Sequence, residues 1–177
     1  MSLTGFRVTA FLALAASFAS AGCASSAAAQ EPTEPVRATV ECRITRIVDG
    51  DTVHCDGMGS VRLIGIDSPE RSQPPFAGQA TSALRRMIPV GTVAQLERDV
   101  EARDRYGRVL GYVWFDGALI NWRMVSDGYA VALTYPPNVQ YTDAFSAAQT
   151  SAREARRGLW ADDGFSCEPR EHRRGRC

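Results

Sequence analysis

From Thr39 to Val48 the residue pattern is extended, and Asp49-Gly50 supplies a hairpin turn into a second short strand, Thr52-Val53-His54-Cys55. Gly57 and Gly59 mark the next turn. The run Val61-Arg62-Leu63-Ile64-Gly65-Ile66 is mostly apolar and is stopped by Asp67-Ser68-Pro69, so it predicts a third, largely buried strand and completes a meander. Past a proline-bearing loop at Pro74-Pro75, Ala77 to Ile88 has helical spacing with Leu84, Met87 and Ile88 on an inner face, and Pro89-Val90-Gly91 ends it. Thr92 to Arg98 and Val109 to Phe115 predict two more strands. Asn121 to Asp127 reads as a short helix capped by Gly128, and Thr142 to Arg157 as a longer one with Thr142 as its N-cap. Five strands and three helices, with a helix between strands three and four, predict an α+β, mainly β domain: a five-stranded antiparallel Greek-key barrel of the OB type.

The composition, 45% hydrophobic and 23% charged over 177 residues, is that of one ordinary globular domain. Its first segment is a targeting signal and not part of the fold, because Arg7 precedes an alanine-rich apolar run, Val8 to Ala21, too short to span a membrane comfortably. Ala27 and Ala29 before Gln30 form an A-x-A cleavage site, so residues 1–29 are expected to be a signal peptide and the mature protein secreted or periplasmic. A rival stands at Ser20-Ala21-Gly22-Cys23, which resembles a bacterial lipobox and would make Cys23 a lipid anchor, although Ser20 stands where a leucine-like residue is usual. Residues 30–38, with Pro32 and Pro35, are expected to be a linker, 39–165 the folded domain, and 166–177 a basic tail carrying Arg170, Arg173, Arg174 and Arg176. That tail is expected to be solvated and tied down by a disulfide, with added phosphate attraction as the sharper alternative.

Charge and cysteine usage narrow the chemistry. Twenty basic and twenty acidic residues cancel, so any nucleic-acid binding must be local and not a polycation's general attraction for phosphate. His54 and His172 are the only histidines, which makes a histidine-rich metal site hard to assemble and leaves carboxylates with a hard cation open. Once Cys23 is removed, Cys42, Cys55, Cys167 and Cys177 remain, an even number in an oxidising compartment. Four cysteines permit three connectivities, of which local closure, Cys42 with Cys55 and Cys167 with Cys177, is the simplest. With a two-residue turn at Asp49-Gly50, Cys55 would sit opposite Ile44 and only diagonal to Cys42, unless a bulge shifts the register.

The segment from Val48 to Glu70 carries the chemistry. It puts Asp51, Arg62, Asp67 and Glu70 near the ends of adjacent strands. Cutting a phosphodiester needs an activated water, neutralisation of charge on the phosphoryl oxygens and a positioned leaving group. Asp51 and Asp67 could hold one hard cation, with a backbone carbonyl and waters completing its shell, and calcium suits so sparse an oxygen site. Glu70, beyond the rigid Pro69, could hold a water as general base. One regularity resists: Arg62 and Asp67 are an odd number of residues apart, which an ideal strand would send to opposite faces, so the chain is expected to bend, with Gly65 the candidate. A second cluster, Asp104-Arg105-Tyr106-Gly107-Arg108, presents two arginines and a phenol from a glycine-containing loop, a combination suited to phosphate.

In this order, the stretches I-V-D-G-D-T-V, V-R-L-I-G-I-D-S-P-E and D-R-Y-G-R-V-L-G-Y-V resemble the staphylococcal nuclease (thermonuclease) family, over roughly Cys42 to Trp160. The resemblance implies an OB-fold nuclease that uses Ca2+ to hydrolyse DNA and RNA to products with 3'-phosphate ends. It implies Asp51, Asp67 and the Ser68 carbonyl as calcium ligands, Glu70 as the water-orienting base, and Arg62 and Arg108 as phosphate and transition-state clamps. Arg105 stands where the family has a phosphate-binding lysine, Tyr106 where a tyrosine contacts the terminal phosphate, and Tyr135 resembles one of two base-stacking tyrosines. The loop from Arg71 to Gly78 is shorter than the family's, and Trp160 resembles a closing core tryptophan. The expected molecule is therefore an exported, monomeric, calcium-dependent nuclease. The competing class is an OB-fold module that binds single-stranded nucleic acid without turnover.

Overall fold

A computed structural model describes residues 30–177; the expected signal peptide and Cys23 lie outside the described residues. The elements follow in the order β1 (Thr39–Ile47), β2 (Thr52–Cys55), β3 (Gly59–Leu63), β4 (Ile66–Asp67), α1 (Phe76–Met87), β5 (Val93–Glu97), β6 (Val109–Phe115), β7 (Ala118–Leu119), α2 (Ile120–Ser126), β8 (Val131–Ala132), α3 (Thr142–Glu154) and α4 (Pro169–Arg173), with a 3-10 turn at Gly158–Trp160. Long β1 serves both halves of the barrel: its start pairs with β5, from Thr39 opposite Glu97 to Arg43 opposite Val93, and its end pairs with β2. The order β3-β2-β1-β5-β6 closes on itself through β3 and β6, giving the five-stranded OB barrel. The expected five-stranded barrel is therefore present, and it closes at one parallel seam. β3 and β6 run parallel, Val61 opposite Val109 and Leu63 opposite Gly111, because an odd number of strands cannot close with every neighbour antiparallel.

The first hairpin turn spans Asp49 to Asp51, one residue more than expected: the Val48 amide donates to the Thr52 carbonyl at 2.9 Å and Ile47 faces Val53. An irregularity between Ile44 and Arg46 then restores Ile44 to its place opposite Cys55. Cys42 and Cys55 are bonded across a Cα separation of 5.3 Å, and Cys167 is bonded to Cys177, so both disulfides close locally. Inside the barrel Ile44, Leu63, Leu96 and Val113 meet Leu84 and Ile88 of the α1 end, Met124 of α2 and Phe145 of α3. Met87, expected on that inner face, is only partly buried against the core. Thr142 is the first residue of α3 and not its cap, a position held by Tyr141 without a side-chain hydrogen bond. Leu159 is the deeply buried residue of the C-terminal closure, while Trp160 packs beside it on Phe165 with ring centroids 4.6 Å apart.

The segment expected to be a linker is tied down. The Val36 and Arg37 amides donate to Glu97 Oε1 at 3.0 and 2.8 Å, and Glu31 pairs with Arg123. Beside Glu97, burial holds the phenols of Tyr112 and Tyr141 well above the usual tyrosine range, helped by Asp99 and by Glu97 respectively. A raised folded-state pKa stabilises the fold fully below about pH 10 and loses that contribution as pH rises through the folded value. In an absorbance titration at 295 nm, the folded protein should therefore fall short of the amplitude of its five tyrosines at about pH 11, Tyr112 and Tyr141 ionising only with unfolding. A full five-tyrosine amplitude from folded protein would contradict the burial argument.

Candidate active site

Two local devices bring the carboxylates together. Gly50 lets the β1–β2 turn lie flat on the chain after β4: a Cβ there would stand 2.7 Å from Ser68 Cβ and 2.8 Å from Ala80 Cβ. Asp51 is thereby seated over Ser68, whose amide and hydroxyl both donate to Asp51 Oδ2 at 2.8 Å. The second device is the bend between β3 and β4. Gly65 has φ +79°, and a Cβ on it would overlap the Phe145 ring, so the position requires glycine twice over. That bend cancels the odd spacing, and Arg62 reaches Asp67 Oδ1 at 3.3 Å.

Arg62 is held from several sides. Its guanidinium donates to the carbonyls of Leu63 and Ile66 at 2.6 and 2.9 Å and lies 3.2 Å from Asp51 Oδ2, between the two aspartates. Asp51 and Asp67 are 7% and 1% exposed, so one guanidinium bridges two nearly buried carboxylates. Burial pushes the Asp67 carboxyl above the ordinary aspartate range, and the neighbouring arginines offset this only in part. Burial, with Asp51 beside it, also raises Asp49. The floor of the site thus gathers Asp49, Asp51, Asp67 and Glu70 in a donor set made only of hard oxygen atoms. This fits a hard divalent cation. Among the described residues no three acidic, histidine or cysteine side chains enclose a metal by themselves, so such an ion would rest on Asp51 and Asp67, with carbonyl and water oxygens filling its shell.

All nine residues singled out in the sequence line one cleft of about 890 Å³. Glu70 is half-exposed at its edge, its amide donating to Gln73 Oε1 at 2.9 Å. Opposite, Asp104 organises the basic loop: its Oδ1 accepts from the Tyr106 and Arg108 amides at 2.9 and 3.0 Å, and its Oδ2 from Arg108 Nε at 2.8 Å. Partial burial works against ionisation of Asp104, yet these hydrogen bonds and the Arg108 charge hold its carboxyl below the usual range. Arg108 is therefore aimed by an acidic partner, a role the sequence reading did not give Asp104. Tyr106 and Tyr135 stand 68% and 73% exposed at the cleft; the Tyr135 ring can meet another flat ring, whereas Arg105 lies over the Tyr106 ring at 4.8 Å. One further residue was missed: Arg173, from the tail, enters the same cleft and pairs with Asp67 and Glu70.

The family model described as staphylococcal nuclease homologue matches residues 60–162. The chain belongs to the staphylococcal nuclease family. It is similar to the thermonuclease of Staphylococcus intermedius, 36% identical over 125 residues that cover 66% of this chain and 74% of that protein. With the thermonuclease of Staphylococcus hyicus it shares 32% identity over 128 residues, 68% of this chain and 75% of the other. The endonuclease YncB of Bacillus subtilis is 32% identical over 136 residues, 71% and 64% of the two chains. The family match takes in Arg62, Asp67, Glu70, Arg108 and Tyr135, while Asp51 and Arg173 fall outside its bounds.

Proposed function

We propose that this member of the staphylococcal nuclease family is an exported, calcium-dependent, sugar-nonspecific nuclease that hydrolyses DNA and RNA to products with 3'-phosphate ends. Nuclease is the family's reaction class, and this chain is a nuclease, a hydrolase. The observation that carries the finer reading is the convergence of two nearly buried aspartates, a half-exposed glutamate and two arginines on one cleft. Export is supported by the signal pattern and by two disulfides, which persist in oxidising compartments.

The residues divide the work. A calcium ion on Asp51, Asp67 and the Ser68 carbonyl would neutralise charge on the scissile phosphate. Glu70 orients the attacking water and takes its proton as the water oxygen bonds to phosphorus. The bond from phosphorus to the 5'-oxygen breaks, and that oxygen takes a proton from solvent, leaving the phosphate on the 3' side. Arg62 and Arg108 face the phosphoryl oxygens as charge builds on them; Arg108 is aimed by Asp104, and two hydrogen bonds from one guanidinium fit two oxygens of one phosphate. Arg105 and Tyr106 hold a neighbouring phosphate, and Tyr135 stacks a base. Single-stranded DNA incubated with calcium, with magnesium or with a chelator should be cut in the calcium sample, with 3'-phosphate ends. Undiminished cleavage in chelator, or 5'-phosphate ends, would overturn this reading.

A further inference from the structure

The tail expected to be solvated is folded against the active site. α4 lies inside the loop closed by Cys167–Cys177, and it docks on the segment that follows Glu70: Ser72 Oγ meets His172 Nε2 at 2.8 Å, and Gln73 Nε2 donates to the Cys167 carbonyl at 2.9 Å. Its arginines are sorted. Arg174 and Arg176 pair with Glu171 of the same segment at 3.0 and 2.9 Å, while Arg173 turns into the cleft. There Nη1 and Nη2 reach Asp67 Oδ1 and Oδ2 at 3.1 and 2.7 Å, and Nη1 also pairs with Glu70. One guanidinium therefore takes both oxygens of a carboxylate proposed to hold calcium and engages the carboxylate proposed to hold the water.

We infer that the disulfide-closed C-terminal segment is an intramolecular latch, in which Arg173 occupies the cation's carboxylates and must withdraw before calcium binds. This rests on the reading of Asp67 as a calcium ligand. Arg173 and not Arg62 is the movable partner. Arg62 is nearly buried and bolted to the carbonyls of Leu63 and Ile66, whereas the Arg173 side chain is 42% exposed on a five-residue helix held by a few hydrogen bonds. Two cations cannot share the same two oxygens at close range without repulsion. A ligand that binds only the open form sees its affinity reduced by the open fraction, so a latch closed about 90% of the time weakens calcium binding about tenfold. The consequence is an enzyme whose calcium threshold is set by its own tail, with the Cys167–Cys177 bond keeping that tail close.

The test measures calcium binding by calorimetry, with calcium alone, on the parent protein and on Arg173→Ala, and amide hydrogen exchange of residues 170–176 in the parent with and without calcium. Arg173→Ala should bind calcium about tenfold more tightly. In the parent, exchange across 170–176 should accelerate when calcium is added. Equal, measurable affinities overturn the latch alone, and unchanged exchange does the same by showing that the tail stays docked on the loaded site. Absence of calcium binding in both proteins overturns the metal reading beneath it. A pure charge effect of removing Arg173 would tighten binding without releasing the segment, so the exchange result separates the two. It also needs no variant to fold.

Discussion

Glu70→Gln is expected to lower nuclease turnover about 10²–10⁴-fold while leaving the affinity for single-stranded DNA within a few-fold of the parent. The substitution keeps the shape of the side chain and an oxygen that can still accept a hydrogen bond, but it removes the basic site that would take the water's proton. Little else depends on that carboxyl. Glu70 is half-exposed, its backbone is held independently through the Gln73 side chain, and Arg173 retains both oxygens of Asp67 when Glu70 is replaced. Asp51, Asp67 and the basic loop are untouched, so binding should survive. Single-turnover cleavage rates set against fluorescence anisotropy would show it. Parallel loss of binding and turnover would mean that Glu70 holds the site together and is not a base, and near-parental turnover would remove it from the chemistry.

Much of this site is legible because its residues lie at turns. Glycine, proline and aspartate mark where strands end, and in an OB barrel those ends are where side chains converge, so Asp51, Asp67 and Glu70 stand out beside Asp49-Gly50, Ser68-Pro69 and the apolar run before them. Even the apparent conflict was informative. The odd spacing of Arg62 and Asp67 required a bend, and the bend is at Gly65, the residue able to take a positive φ against the Phe145 ring. The parallel seam between β3 and β6 was hidden for the opposite reason. Periodicity reports which face of a strand is buried and says nothing of which distant strand completes its hydrogen bonds.

Arg173 shows where local reasoning stops. It lies 106 residues from Asp67, on a five-residue helix in a run of arginines whose composition reads as a solvated tail. The sorting of that run depends on Glu171, which accepts from Arg174 and Arg176 and leaves Arg173 to the cleft. Helical spacing puts Arg173 on a different side of α4 from those pairs only once the disulfide and the contacts at Ser72 and Gln73 have fixed how the helix docks. The tail's meaning therefore resides in tertiary contacts. The same holds for Asp104, whose value to Arg108 comes from the fold of its loop and not from its charge alone.

The largest expected loss of stability lies away from the cleft, at Glu97. This residue is 0% exposed at the end of β5, and its carboxyl group gathers three remote parts of the chain: the Val36 and Arg37 amides before β1, Trp114 Nε1 on β6 at 2.8 Å, and the Tyr141 hydroxyl before α3, also at 2.8 Å. Glu97→Ala would leave the buried indole N–H and phenol O–H without an acceptor, at about 1–3 kcal/mol each, while water can take over the two exposed amides. With the space left behind, the fold should lose about 3–5 kcal/mol, a fall in melting temperature of about 10 °C or more. Glu41→Ala, an exposed position on β1, is the control and should move the melting temperature little. Because Tyr141 caps the start of α3 and Phe145 on that helix fills the space beside Gly65, loosening Glu97 reaches the bend that presents Asp67. The variant should accordingly lose activity on warming before the parent does, while cutting at near-parental rate in the cold. A melting temperature within about 2 °C of the parent would show that Trp114 and Tyr141 find other acceptors and that this network does not hold the barrel to its helices.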